Sequence, residues 1–247
     1  MTEISQDNIE LRKSEMIQEK HFDILAENEL VPMRDDTRLV FIDIPGINEA
    51  NTFSKYSDYV SMKWDTFDCV VAILDGKQGV NTQDQVALLN LVKTNLKKKA
   101  VPIIVLCNKV DDPEDMEQAE LVHEVRKEVK NIFGDTTPTF IPLSAIHAFI
   151  YQCASRLTRE TFEKFDWELI TKLGREQIGR RRWNRLNEKQ KLDAAYKLIT
   201  DGYQEAADES NFNAFLAELR KTVGGDDQQR KLIGKQLETT LLKLRHD

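Results

Sequence analysis

From about residue 37 the chain alternates short, nearly continuous apolar runs with longer stretches of helical periodicity. Runs that are apolar at every position suit strands covered on both sides, as in a parallel sheet, whereas a strand with one wet face alternates apolar with polar. Three runs stand out, Arg38–Asp43, Asp68–Leu74 and Val101–Cys107, and Thr139–Pro142 is a shorter fourth. Between them the pattern predicts a helix capped by Thr82 and reaching Lys97. A second is predicted with Asp112 as N-cap, Pro113 in its first turn and Gly134 at its end. Strands alternating with helices predict an α/β fold with a mainly parallel sheet.

Beyond about residue 155 the strand signals stop. Phe162, Phe165, Leu169 and Leu173 share a helical face before Gly174, and Leu192, Tyr196, Ile199 and Tyr203 form another. Phe212, Phe215, Leu219 and Val223 form a third, ended by Gly224-Gly225, and Ile233, Leu237, Leu241 and Leu244 a fourth. Amphipathic helices on short links cannot hide their apolar stripes alone, so they are expected to pack as a bundle or against the sheet. The residues before 37 are polar and mostly helix-like, with a candidate strand at His21–Leu25. The expected organisation is a partly helical segment over 1–36, a sheet domain over 37–155 and a helical domain over 156–247.

Composition narrows the partners. A formal charge of −7 and a pI near 5.3 speak against general affinity for nucleic acid, so any phosphate binding must be local. No apolar run spans a bilayer and the first residues do not resemble a secretion or mitochondrial signal, which makes the cytoplasm the default address. Cys69, Cys107 and Cys153 have apolar neighbours and no metal-ligand spacing, so they read as reduced core thiols; the four histidines are equally scattered. The cluster Arg180-Arg181-Arg182-Trp183 reads first as a solvated helix face and, as an alternative, as a peripheral contact with a membrane surface.

The chemistry-bearing motif is Asn108-Lys109-Val110-Asp111, placed directly after an apolar strand and before a helix. A carboxylate at Asp111 can accept from both N1–H and the exocyclic amine of guanine, whereas adenine presents an acceptor at N1 and lacks that amine. Asn108 would bond the purine N7 and tie neighbouring loops, and the stem of Lys109 would lie along the base. After the fourth run come Ser144-Ala145-Ile146, where the Ala145 amide would donate to guanine O6. The first run ends in Asp43-Ile44-Pro45-Gly46, with Asp43 suited to hold Mg²⁺ through a water and Gly46 to bring a backbone N–H to a γ-phosphate. All three motifs end strands, where ligands of open parallel sheets bind.

In these motifs residues 37–155 resemble the translation-factor-related P-loop GTPases. The Pro45 spelling and the helical segment after the sheet look most like dynamin-type large GTPases. The resemblance implies GTP and GDP as ligands with Mg²⁺ as cofactor, GTP hydrolysis in a complete protein, and self-association through the helices after residue 155. One family element is missing: no glycine precedes Gly46, so the Gly-x-x-x-x-Gly-Lys-Ser/Thr phosphate loop is not in this sequence. Gly234-Lys235 does not replace it, because Gln229 and Gln236 stand where the first glycine and the hydroxyl residue belong. In the family the strand feeding that loop lies between the runs 38–43 and 68–74, so the expected sheet lacks its phosphate-loop strand and leaves two edges unpaired. A fragment or split protein is therefore expected, and the alternative is a non-enzymatic pseudo-GTPase whose sheet supports a helical interaction scaffold.

Overall fold

The structure is a computed structural model that describes residues 39–44, 53–78, 83–111, 115–154, 158–164, 167–224, 229–231 and 233–234. The segment 1–36, the candidate strand at His21–Leu25, Gly46, Thr82 and the fourth stripe beyond Ile233 lie outside the described residues. Strands β1 (Val70–Asp75), β2 (Ile103–Asn108) and β3 (Thr139–Leu143) form a three-stranded parallel sheet in that order. Val70 stands opposite Ile103, and Ile104 opposite Thr139. The fold class is α/β, as the alternation of apolar runs and helices predicts.

The central strand β2 is buried at successive positions because both its faces are covered, whereas the edge strand β1 leaves Ile73 59% exposed on its second face. One face presents Ala72, Leu74, Ile103, Val105 and Cys107 to Leu89 and Val92 of α2 (Gln83–Leu96) and to Val125, Val129 and Phe133 of α3 (Met116–Phe133). The same core takes Val60 from α1 (Phe53–Lys63) and the buried Trp64, whose indole N–H donates to the Lys99 carbonyl at 2.9 Å. The other face presents Ile104, Leu106, Ile141 and Leu143 to Phe212 and Phe215 of α9 (Phe212–Val223). Each fully buried aliphatic side chain contributes about 1.5–3 kcal/mol, so these two layers supply most of what holds the sheet.

Two helix boundaries differ from the sequence expectation. Helix α3 opens at Met116 with Asp115 as its N-cap, not Asp112, because the Asp115 carboxylate accepts from the Glu117 and Gln118 amides at 2.9 and 3.4 Å. It closes as expected at Gly134, whose φ of 62° suits glycine and whose N–H donates to the Lys130 carbonyl at 2.8 Å. Asp115→Ala is expected to destabilise the chain by about 0.5–2 kcal/mol, measured as a lower midpoint in thermal or urea unfolding.

The second difference is in the helical half, built from α4 (Ala145–Ala154), α5 (Arg159–Phe162), α6 (Trp167–Ile178), α7 (Arg180–Trp183), α8 (Glu188–Glu209) and α9. Helix α6 runs through Gly174 rather than ending before it. A Cβ on Gly174 would lie 2.1 Å from the Trp183 ring, so the glycine is there for a close approach and not for a helix stop. Around this contact Ile150, Tyr151, Phe162, Ile170, Trp183, Ala195 and Ile199 form a separate core. Helix α4 packs on α8 and α9 packs on β3, so the helices both bundle with one another and close the sheet.

The run 38–43, expected to be a buried strand, is corrected by the structure: residues 39–44 are irregular. Val40 and Phe41 are 68% and 70% exposed, whereas a strand covered on both sides would bury them. Apolar composition permits a strand, but a strand exists only through a neighbour that takes its N–H and C=O groups. Among the described residues β1 is the edge of the sheet and residues 39–44 form no ladder with it. Their ends are instead held by packing, Leu39 beside Leu219 and Val223, Ile44 against the core of the first face.

Candidate functional site

Parallel strands bring their carboxyl ends to one rim, and here Asp75, Asn108 and Leu143 stand side by side. The loop after β2 is Asn108-Lys109-Val110-Asp111. Lys109 adopts φ 69°, a left-handed conformation that costs a side-chain-bearing residue about 1–3 kcal/mol and is kept where the surroundings hold it. The surroundings do so: Val110 N–H donates to the Leu143 carbonyl at 3.2 Å, and the Gln118 side-chain Nε2 donates to the Lys109 carbonyl at 3.2 Å.

This loop is tied to the one after β3. Asn108 Oδ1 accepts from the Ala145 N–H at 3.0 Å, and Asp111 Oδ1 accepts from the Ser144 hydroxyl at 2.9 Å. Ser144 is 2% exposed, and its N–H donates to the Ser210 carbonyl at 3.1 Å, which anchors it to the chain just before α9. Ser144 Oγ also accepts from the His147 N–H at 3.3 Å, in the first turn of α4. Asn108, Asp111, Ser144 and Ala145, singled out in separate motifs, therefore stand in one hydrogen-bonded cluster. The Ala145 amide assigned to guanine O6 is engaged with Asn108.

The loop after β1, Asp75-Gly76-Lys77-Gln78, belongs to the same cluster and was not singled out in the sequence. Gly76 N–H donates to the Asn108 carbonyl at 2.7 Å, and a Cβ at Gly76 would lie 2.8 Å from that oxygen. Glycine is the residue that allows this approach. Asp75 Oδ1 accepts from the Lys77 N–H at 2.9 Å, closing a tight turn. Two ion pairs cross between the loops, Lys109 with Asp75 and Lys77 with Asp111, the latter at 2.8 Å. An apolar strand ending in Asp-Gly was the available signal, since that dipeptide marks a turn, but its pairing with another loop is long-range.

These contacts shift acidity. Burial works to raise the Asp111 carboxyl, but the hydrogen bonds from Lys77 and Ser144 and the charges of Lys77 and Lys172 outweigh it, and the group lies below the ordinary 3.8. Asp75 is likewise lowered: burial opposes, and Lys109 together with the Lys77 and Gln78 amides prevails. A carboxyl held low in the folded state contributes stability that is fully present above its unfolded value and is lost as pH falls through its folded value. Unfolding free energy is thus expected to decline on acidification from about pH 4 downward, and less steeply in Lys77→Ala, as urea titrations at a series of pH values would record. Burial pushes the Cys107 and Cys69 thiols up to about 11, in keeping with reduced core cysteines.

Asp43 does not join the cluster: it is exposed and makes no hydrogen bond or ion pair with another described residue. No group of three or more His, Cys, Asp or Glu among the described residues is arranged to hold a metal.

The parallel α/β fold, with Asn108-Lys109-Val110-Asp111 and Ser144-Ala145-Ile146 at its rim, is that of a GTPase-type domain. The family model of the elongation factor Tu GTP binding domain matches residues 4–214, and the chain belongs to that family of P-loop GTPases. No curated protein and no solved structure matches the chain.

Proposed function

We propose that the chain binds guanine nucleotides chiefly through the base, with Asp111 accepting from the guanine edge and Asn108, Lys109, Ser144 and Ala145 shaping the site. The observation that carries this is the joint hydrogen bonding of Asn108 to Ala145 and of Asp111 to Ser144, which sets the carboxylate at the strand rim. Family membership supports GTP as the ligand. With no glycine before Gly46, the loop amides and lysine that grip phosphates in the family are not in this sequence. Each such charge-assisted hydrogen bond is worth about 1.5–3 kcal/mol, so affinity should fall by about 10⁴-fold or more relative to a domain that has them. The reading is one of binding rather than turnover. Asp43 and Gly46 remain proposed contacts for Mg²⁺, through water, and for the γ-phosphate.

The test is binding of a fluorescent guanine nucleotide to the full chain with Mg²⁺, competed by GTP, GDP and ATP. Competition by GTP and GDP but not ATP upholds the reading, and equal competition by ATP refutes it. A dynamin-type GTPase is the narrower form of the proposal, resting on Pro45 and on the helices that follow the sheet. The second reading, a non-enzymatic scaffold acting through those helices, draws support from the missing glycine-rich loop and from the packing of α9 on the sheet. Absence of any nucleotide binding at millimolar concentration would favour it.

A further inference from the structure

Reading guanine at Asp111 requires carboxylate oxygens turned toward two donors on one edge of the base. Both oxygens already have donors from the protein, and the two donors differ in kind. Ser144 is buried and bonded into the start of α4, so its hydroxyl is part of the frame. Lys77 sits on a turn from the neighbouring strand, its side chain 53% exposed, and reaches Asp111 Oδ2 at 2.8 Å. Its backbone is set beside the Asn108–Asp111 loop by the Gly76-to-Asn108 bond and by the Asp75 turn. The Asp75–Lys109 pair joins the same two loops independently. Parting the Lys77–Asp111 pair therefore leaves the join between the two loops in place.

We propose that Lys77 caps the base site: its ammonium holds the Asp111 oxygen that a guanine edge would use, and the nucleobase enters by displacing it. This inference rests on the base reading above. The cap has a physical use in a chain without a phosphate loop. A carboxylate only 13% exposed stays paired while the site is empty, and its charge is neutralised by a group that leaves at small cost because water takes up the ammonium. An exposed lysine gives up such a pair cheaply at the surface, where water solvates the ammonium, and at greater cost where the acceptor is partly buried.

The experiment measures guanosine binding to the full chain by ligand-observed NMR, in wild type, Lys77→Ala, Lys77→Arg and Asp111→Ala. Guanosine has no phosphate, so loss of the lysine charge acts only at the base. Lys77→Ala is expected to bind about 3- to 30-fold more tightly than wild type, with Lys77→Arg close to wild type. Unchanged or weaker binding in Lys77→Ala, with guanosine still bound by wild type and lost in Asp111→Ala, overturns the cap and leaves the base reading standing. Absence of guanosine binding in both wild type and Lys77→Ala overturns the base reading and the cap with it. A ¹³C titration of the Asp111 carboxyl in the free chain adds a readout that needs no ligand. Its midpoint is expected to rise in Lys77→Ala, and a midpoint unmoved by that substitution overturns the cap.

Discussion

Asp111→Ala is expected to weaken guanine-nucleotide binding by about 10²- to 10⁴-fold and to leave the chain unable to tell guanine from adenine. Two hydrogen bonds to an ionised acceptor are lost, each worth about 1.5–3 kcal/mol, and every 1.4 kcal/mol is a factor of ten. The fold should survive, because Asp111 stands at the rim and the Asn108–Ala145 bond keeps the two loops joined. Asp111→Asn makes a sharper test. It replaces one acceptor by an amide donor, which opposes guanine N1–H and the amine but suits xanthine, whose second carbonyl stands where guanine has its amine. Competition titrations with GTP, XTP and ATP should show the preference moving from guanine to xanthine. An Asn variant that keeps wild-type preference for GTP would mean that Asp111 does not read the base.

The other large effect lies in the helical half. Trp183 is 1% exposed, and Trp183→Ala is expected to cost about 3–5 kcal/mol through the cavity it leaves. Gly174→Ala should cost about 1–3 kcal/mol for the opposite reason, since its new carbon would meet three ring atoms of Trp183 at 2.1 to 2.4 Å. The ring is 1% exposed, in a core that also holds Ile170, Ala195 and Ile199. The double variant distinguishes this contact from two unrelated losses: with the indole gone the added methyl occupies vacated space, so the two costs should fall short of adding. Urea unfolding of the two single variants and the double variant measures the coupling, and strict additivity would show that Gly174 matters for some other reason.

How far the sequence spoke depended on the range of the interaction involved. The cores of β1, β2 and β3 were legible because Val70–Leu74, Val101–Cys107 and Thr139–Pro142 carry the composition of strands covered on both faces. The stripe Phe212, Phe215, Leu219, Val223 announced its helix in the same way. Residues 38–43 carry an equally apolar run, yet the structure shows no strand at 39–44, because pairing is a property of two segments and only one is written in the run itself. The residues proposed to read the base stood out as short motifs at strand ends, and the structure joins Asn108 to Ala145 and Asp111 to Ser144. Lys77 did not stand out, since a lysine in an Asp-Gly-Lys turn says nothing of a carboxylate beyond the next strand. Gly174 stood in the sequence only as the residue after an apolar stripe, and the contact that explains it is with a ring on another element.

The order in which the chain is made gives the packing of α9 a further meaning. Ile104, Leu106, Ile141 and Leu143 are written by residue 143, but the phenylalanines that cover them are at 212 and 215. The Thr139 hydroxyl waits equally long for the Glu218 carboxylate it bonds at 3.2 Å, 79 residues away. A ribosome adding about 5–20 residues per second leaves that face of the nascent sheet bare for several seconds at least. Throughout that interval a parallel sheet with one naked apolar layer and an open edge is a target for hydrophobic-binding chaperones. The rim that carries Asn108, Asp111 and Ser144 inherits the same delay, because Ser144 is fastened through its N–H to the carbonyl of Ser210.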